Sequence, residues 1–176
     1  MTLLELLERR RSCRKFRPDG VPQSLVDQII KGVMTAPSSK NTRTTRLVVV
    51  RDRAIIEKLA ATRTYGSSWM KDAPLAVIVA ADVQAGGLWV ENCAISAIIL
   101  QLMAESLGLG SCWVHVNARP HDDALPEETT AEEYIHSLLP ATAGWHIECM
   151  VALGFPAEEP HPRKERDDSD KVMVIG

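Results

Sequence analysis

Residues 9–16 read RRRSCRKF, and six of the nine side chains from position 9 to 17 are basic: Arg9, Arg10, Arg11, Arg14, Lys15 and Arg17. The whole chain carries a net charge of −3, so this positive charge is local. Arginine grips phosphate or carboxylate through a planar fork of donors. Ser12 adds a hydroxyl, and the tight spacing of Arg10, Arg11, Ser12 and Arg14 suits one compact anion with several oxygens. A solvated helix end explains the same run on composition alone. Far downstream, PRKER holds Arg163, Lys164 and Arg166. The two clusters either converge on one phosphate or stand as separate surface patches.

Other segments carry weaker signals. The loop APSSKN offers Ser38, Ser39 and Asn41 as small donors and acceptors for a polar ligand edge, and ordinary turn chemistry accounts for the same residues. LGLGSCWV brings backbone close to something at Gly110 and Ser111, but it lacks the G-x-G-x-x-G and P-loop spacings. Cys112 and His115 are a close Cys/His pair, at an odd offset on a predicted strand, so core packing is favoured over metal ligation. No G-x-S-x-G supports a serine nucleophile. Cys13 beside Arg14 has a reason for a lowered thiol pKa, yet no orienting histidine is recognisable. No protein acid, base or nucleophile emerges, and no metal is expected.

These side chains need elements to position them. TLLELLERR reads as a short amphipathic helix that places the basic run at its C-terminal end, where cations oppose the helix dipole. That accounts for two or three of the charges but not six. A second helix follows Pro22, and RLVVV is a strand leading to a helix at RAIIEKLAA. APLAVIVAAD contains an apolar strand of the kind buried on both faces. The longest helix is predicted over 88–107, and its stretch CAISAIILQLMA is greasy on every face. It must therefore lie in the centre of a fold or across a subunit interface. It is too short and interrupted to span a membrane. Thr130 and Glu133 have capping-box spacing, HIECMVALGF is a further strand, and the tail ends in a short β-like run. Strands and helices sit unevenly, which indicates a mixed α+β domain.

The 176 residues, 45% hydrophobic and 24% charged, fit a single domain over 1–176 with a substantial core. A pI near 6.0 argues against a dedicated nucleic-acid binder. Glu5 and Glu8 interrupt the apolar N-terminus, so no signal peptide is expected. Four scattered cysteines fit free thiols in a reducing cytoplasm.

In order along the chain, RRSCRKF, APSSKN, DAPLAVIVAAD, ENCAISAIILQLMAESLGLGSCWV, and VALGFP followed by RKER resemble the nitroreductase family of flavoproteins. The resemblance implies an α+β fold whose central sheet, mostly antiparallel or mixed, is flanked by helices. It implies an intertwined homodimer binding FMN at the subunit interface. By match, Arg10, Arg11, Ser12 and Arg14 hold the phosphate and ribityl chain, joined by Lys164 and Arg166, with Arg163 as a substitute. Ser38, Ser39 and Asn41 match a loop near the flavin, often given by the other subunit. Gly110 and Ser111 match the segment running past the ring, and Arg14 or Lys15 would face the N1–C2=O edge.

The implied activity passes reducing equivalents from NAD(P)H to a nitroaromatic, quinone or related electrophile by a ping-pong mechanism, with the flavin N5 carrying the chemistry. The superfamily also supports flavin fragmentation, dehalogenation and dehydrogenation. A non-enzymatic anion- or nucleic-acid-binding module is the alternative of a different class, although few aromatics interleave with the arginines for base stacking. Two departures stand out. Arg43, Thr44 and Thr45 replace the usual Gln-Pro-Trp, which makes Arg43 a candidate contact to an anionic acceptor or to the phosphates of NAD(P)H. The connection between Val116 and Thr130 is short, which implies less lid over the acceptor.

Overall fold

The computed structural model describes residues 1–82, 84, 87–160, 164 and 167–176. Four strands form one sheet in the order β1-β2-β4-β3: β1 Thr45–Val50, β2 Leu75–Asp82, β3 Gly110–His115 and β4 Trp145–Gly154. Every pairing is antiparallel, so the described sheet is not mixed. The helices are α1 Leu3–Arg9, α2 Gln23–Val33, α3 Arg53–Leu59, α4 Trp89–Ser106 and α5 Ala131–Leu138.

The sheet is buried on both faces, and the sequence of β2 shows why. LAVIVAAD has no polar alternation, and each residue from Leu75 to Ala81 is buried. Val77, Val79 and Ala81 pack with Val151 and Leu153 of β4 against α2 and α4. Ile78 and Ala80 pack with Ile147, Met150 and Ala152 of β4 against α3 and α5. Such runs are typical of parallel sheets; here helices on both faces impose the same burial on an antiparallel one.

Capping residues set where the helices begin. Thr2 and Glu5 form a reciprocal capping box at α1, Thr130 and Glu133 form another at α5, and the Asp52 carboxylate accepts from the amides of Ala54 and Ile55. Between α2 and α4 the approach is close enough that a Cβ at Gly32 would lie 2.6 Å from the Met103 Cγ.

One expectation narrows and another changes. α4 is not covered all round within one chain: Cys93, Ala97, Leu100 and Ala104 are buried, but Ile95 and Ile98 on its other side are exposed. The tail forms no strand among its described residues. A 3-10 turn at Ser169–Lys171 is followed by Val172, Met173, Val174 and Ile175, all 70–88% exposed. That run has β propensity, but among the described residues it pairs with neither border strand of the sheet.

β4 carries one irregularity. Val79 pairs with Cys149 and Ala80 with Ile147, so Glu148 is an extra residue without a partner on β2. Its carbonyl instead accepts the amides of Val116 and Asn117, both at 3.1 Å, where the chain leaves β3.

Candidate functional site

The basic arm that follows α1 lies against the start of β3 and the exit of β4. Ser12 bridges Ser111 in parallel fashion, and the Cys13 amide donates to the Ser111 carbonyl at 2.9 Å. Phe16 bridges Pro156, the Arg17 amide donates to Phe155, and the Ala157 amide donates to Lys15. Contact at Gly110 is tight: a Cβ there would meet the Cys13 Cβ at 2.6 Å and its Sγ at 2.7 Å. Gly110 is thus a glycine because the arm lies on it.

This arrangement encloses a cleft of about 860 Å³, lined by Arg9, Arg10, Arg11, Ser12, Cys13, Arg14 and Lys15, by Gly108, Leu109 and Gly110, and by Glu105, Pro156, Glu158, Glu159 and Pro160. Five cations face three carboxylates across it. Some of those cations are already engaged. Arg9 Nε meets Glu105 Oε1 at 2.7 Å, and Lys15 Nζ meets Glu158 Oε1 at 2.6 Å. Arg11 Nη1 donates to the carbonyls of Glu8 at 2.5 Å and Arg10 at 2.8 Å, which caps the end of α1. Arg14 stands 5.7 Å over the Trp69 ring. Among the described residues no carboxylate pairs with Arg10 or Arg14, and an incoming anion must compete with backbone carbonyls for Arg11.

The thiols are not poised as nucleophiles. Burial pushes Cys13 above its ordinary value despite its neighbouring arginine, which corrects the expectation of a lowered pKa. Burial likewise pushes Cys112 up, while Arg14, a hydrogen bond with Ser12 and Arg10 pull the other way.

The loop carrying Ser38, Ser39 and Asn41 is elsewhere. The Ser39 amide donates to Asn92 Oδ1 at 2.9 Å, and the Ser38 hydroxyl accepts from the Arg43 amide at 2.9 Å. Lys40, Asn41 and Arg43 have φ of 49, 54 and 50°, the left-handed region that non-glycine residues rarely adopt. Asn92 is in the first turn of α4, whereas Glu105, at the cleft, is in the last. At 1.5 Å per residue, about 20 Å of helix separates them. One chain does not bring this loop to the basic cleft. Arg43 is exposed, with Nη2 3.5 Å from the Met34 carbonyl.

Gly110 lines the cleft, while Ser111 serves it through its backbone. Lys164 is exposed and is not among the described lining residues; Arg163 and Arg166 lie outside the described residues. Sequence reasoning missed Trp69 under Arg14 and the carboxylates Glu105, Glu158 and Glu159. The lone acid closing a greasy helix, and the AEE following VALGFP, were the available signals. A second cleft behind the arm, of about 700 Å³, shares Arg14 and Lys15 and adds Arg51, Arg53 and Asp72.

An antiparallel sheet buried between helices, with a basic N-terminal arm folded onto glycines at the start of a strand, defines an α+β protein with a basic cleft. The chain matches the nitroreductase family over residues 7–63 and 60–155, and it belongs to that family. A Methanothermobacter thermautotrophicus protein, named a candidate NADH dehydrogenase/NAD(P)H nitroreductase, is 34% identical over 177 residues, which cover 99% of this chain and 87% of that one. A solved FMN-dependent nitroreductase from Clostridium difficile R20291 superposes with a TM-score of 0.88 at 36% identity, covering 99% of both chains. The NADH dehydrogenase of Thermus thermophilus is 26% identical over 191 residues, 88% of this chain and 86% of that one.

Proposed function

We propose that this chain is an FMN-dependent oxidoreductase taking reducing equivalents from NAD(P)H, and that the arm cleft holds the FMN phosphate and ribityl chain. The observation that carries this is the convergence of Arg10, Arg11, Ser12 and Arg14 on one cleft of mononucleotide size, floored by the backbone of 108–110. Family membership and likeness to an FMN-dependent nitroreductase support the same reading. Bound FMN would supply hydride acceptance and donation. The chain's own residues would grip the phosphate through Arg10 and Arg14, donate from Ser12, and place a positive charge near the cofactor through Lys15. Lys164 and Arg166 are proposed to close over the phosphate.

The acceptor is proposed to be a nitroaromatic, quinone or related electrophile sharing one pocket with NAD(P)H. The functional unit is proposed to be a homodimer. Loop 38–43 stands about a helix length from the cleft of its own chain. A second copy packed antiparallel along the exposed Ile95 and Ile98 face of α4 would deliver it to the partner's cleft. Ser38, Ser39, Asn41 and Arg43 would then line the acceptor side.

The decisive experiment compares FMN with riboflavin, which lacks the phosphate. The wild type is expected to bind FMN much more tightly. Arg10→Ala is expected to weaken FMN roughly 10- to 100-fold, since a charge-assisted hydrogen bond contributes about 1.5–3 kcal/mol, while leaving riboflavin unchanged. Equal loss for both ligands would remove the phosphate assignment.

A further inference from the structure

Glu148 is the bulge residue of β4 and is 3% exposed. Bulges inside a sheet re-aim one side chain, and they recur beside active sites. One carboxyl oxygen, Oε1, lies 3.6 Å from His115 Nδ1. The other, Oε2, is buried without a hydrogen-bond partner in the described chain. The His115 side chain is 35% exposed and stacks 6.3 Å from Trp113. A buried acid thus reaches solvent through one imidazole.

The surroundings set the protonation of this pair. Burial raises Glu148, the Glu91 charge on α4 adds to that, and the Asn117 side chain opposes it by hydrogen bonding. Burial lowers His115, and Arg119 and Arg63 lower it further. Cys93 of α4 and Cys149 of β4 face the same carboxyl, and both thiols are held protonated. No cation pairs with Glu148 among the described residues apart from this imidazole. The 3.6 Å contact meets an ion-pair distance, while burial works against charge on both partners.

Position ties the pair to the reaction. Asn92, which holds loop 38–43 through the Ser39 amide, is in the first turn of α4, and Trp89 of that turn stacks 5.1 Å from His146, two residues before Glu148 on β4. From this geometry we propose that Glu148 and His115 form a proton relay at the acceptor end of the site, rather than a purely structural contact. This rests on the oxidoreductase reading above. Two-electron reduction of an acceptor consumes one hydride equivalent, which NAD(P)H supplies by way of the cofactor, and one proton. In the relay, the His115 Nε2–H proton passes to the acceptor oxygen or nitrogen, and the Glu148 proton passes to Nδ1. The carboxylate left behind recovers a proton from water through the same ring.

The test uses FMN-loaded protein and two oxidants. A quinone consumes a proton on two-electron reduction; ferricyanide takes one electron and consumes none. Glu148→Gln is expected to retain FMN and its ferricyanide rate within about twofold, and to lower the quinone rate roughly 100-fold, the usual size of general-acid assistance. His115→Asn, at a half-exposed position that should leave folding intact, is expected to do the same. In the flavin-free wild type, an infrared carbonyl band of a protonated carboxyl is expected, and it should vanish in Glu148→Gln. A parallel fall with both oxidants would show a structural role and overturn the relay. So would an unchanged quinone rate, or the same infrared band in wild type and variant. A wild type that retains no FMN would instead refute the oxidoreductase reading, and the infrared result would still decide whether Glu148 holds a proton.

Discussion

Gly110→Ala tests the packing that creates the cleft. The new Cβ would lie 2.6 Å from the Cys13 Cβ, 2.7 Å from its Sγ and 3.3 Å from the Pro156 Cγ. Carbon atoms pack at about 3.5–4.0 Å, so the arm must retreat by roughly 1 Å. The Cys13–Ser111 hydrogen bond, 2.9 Å in the native fold, would then open beyond bonding distance. Overpacking costs about 1–3 kcal/mol and the lost hydrogen bond about 1 kcal/mol. A destabilisation of roughly 2–4 kcal/mol in urea unfolding is expected. Flavin fluorescence titration should show weaker FMN binding, because Ser12 and Arg14 move with the arm. The clash is between two Cβ atoms, so Cys13→Gly should relieve it and Cys13→Ala should not. A double-mutant cycle isolates that coupling from the intrinsic cost of adding a glycine. If Gly110→Ala is as stable as the wild type, or if Cys13→Ala rescues it as well as Cys13→Gly, the close approach is not what fixes this glycine.

Ile98→Glu, on the exposed side of α4, is expected to yield monomers in sedimentation and to lose FMN as the assembly dissociates. A flavin-loaded monomer would contradict the dimer proposal. The Cys93 thiol is pushed up to about 12 by burial, from an ordinary 9.0. The folded chain therefore keeps a proton that the unfolded chain loses above pH 9.0. The associated stability is complete below that pH and disappears between 9.0 and about 12, with a slope of up to about 1.4 kcal/mol per pH unit. Cys93→Ala should show a shallower alkaline decline. Initial rates of the wild type should give parallel double-reciprocal lines, and Arg43→Ala should raise KM for one substrate with FMN content intact; intersecting lines would refute the shared pocket.

Much of the fold was legible because its signals are local. The apolar run CAISAIILQLMA placed α4 within a residue of its observed ends at either side, and Thr130 with Glu133 marked the start of α5. Glycines at 108 and 110 and the basic run together indicated half of the cleft. The bulge at Glu148 was hidden, because IECMVALG is apolar around it and a one-residue shift leaves no trace in such a pattern. The separation of loop 38–43 from the arm was hidden for another reason: it depends on which ends of α4 each segment touches, a tertiary fact with no sequence period. The tail VMVIG reads as β-like from propensity alone, and propensity without a pairing partner makes no strand.

The arm's position on β3 has a consequence for solubility. β3 is a border of the sheet, and CWV in its middle is rich in strand-forming side chains. Unpaired borders of this kind template intermolecular pairing unless something covers them. Residues 12 and 13 supply part of that cover at Ser111. A ligand that tightens the arm thereby also guards the border, and conditions that strip the ligand expose it. Loss of cofactor and onset of aggregation should then share one cause, the peeling of a short N-terminal segment, and free phosphate in the buffer should delay aggregation of the cofactor-free chain while competing with FMN for the loaded one.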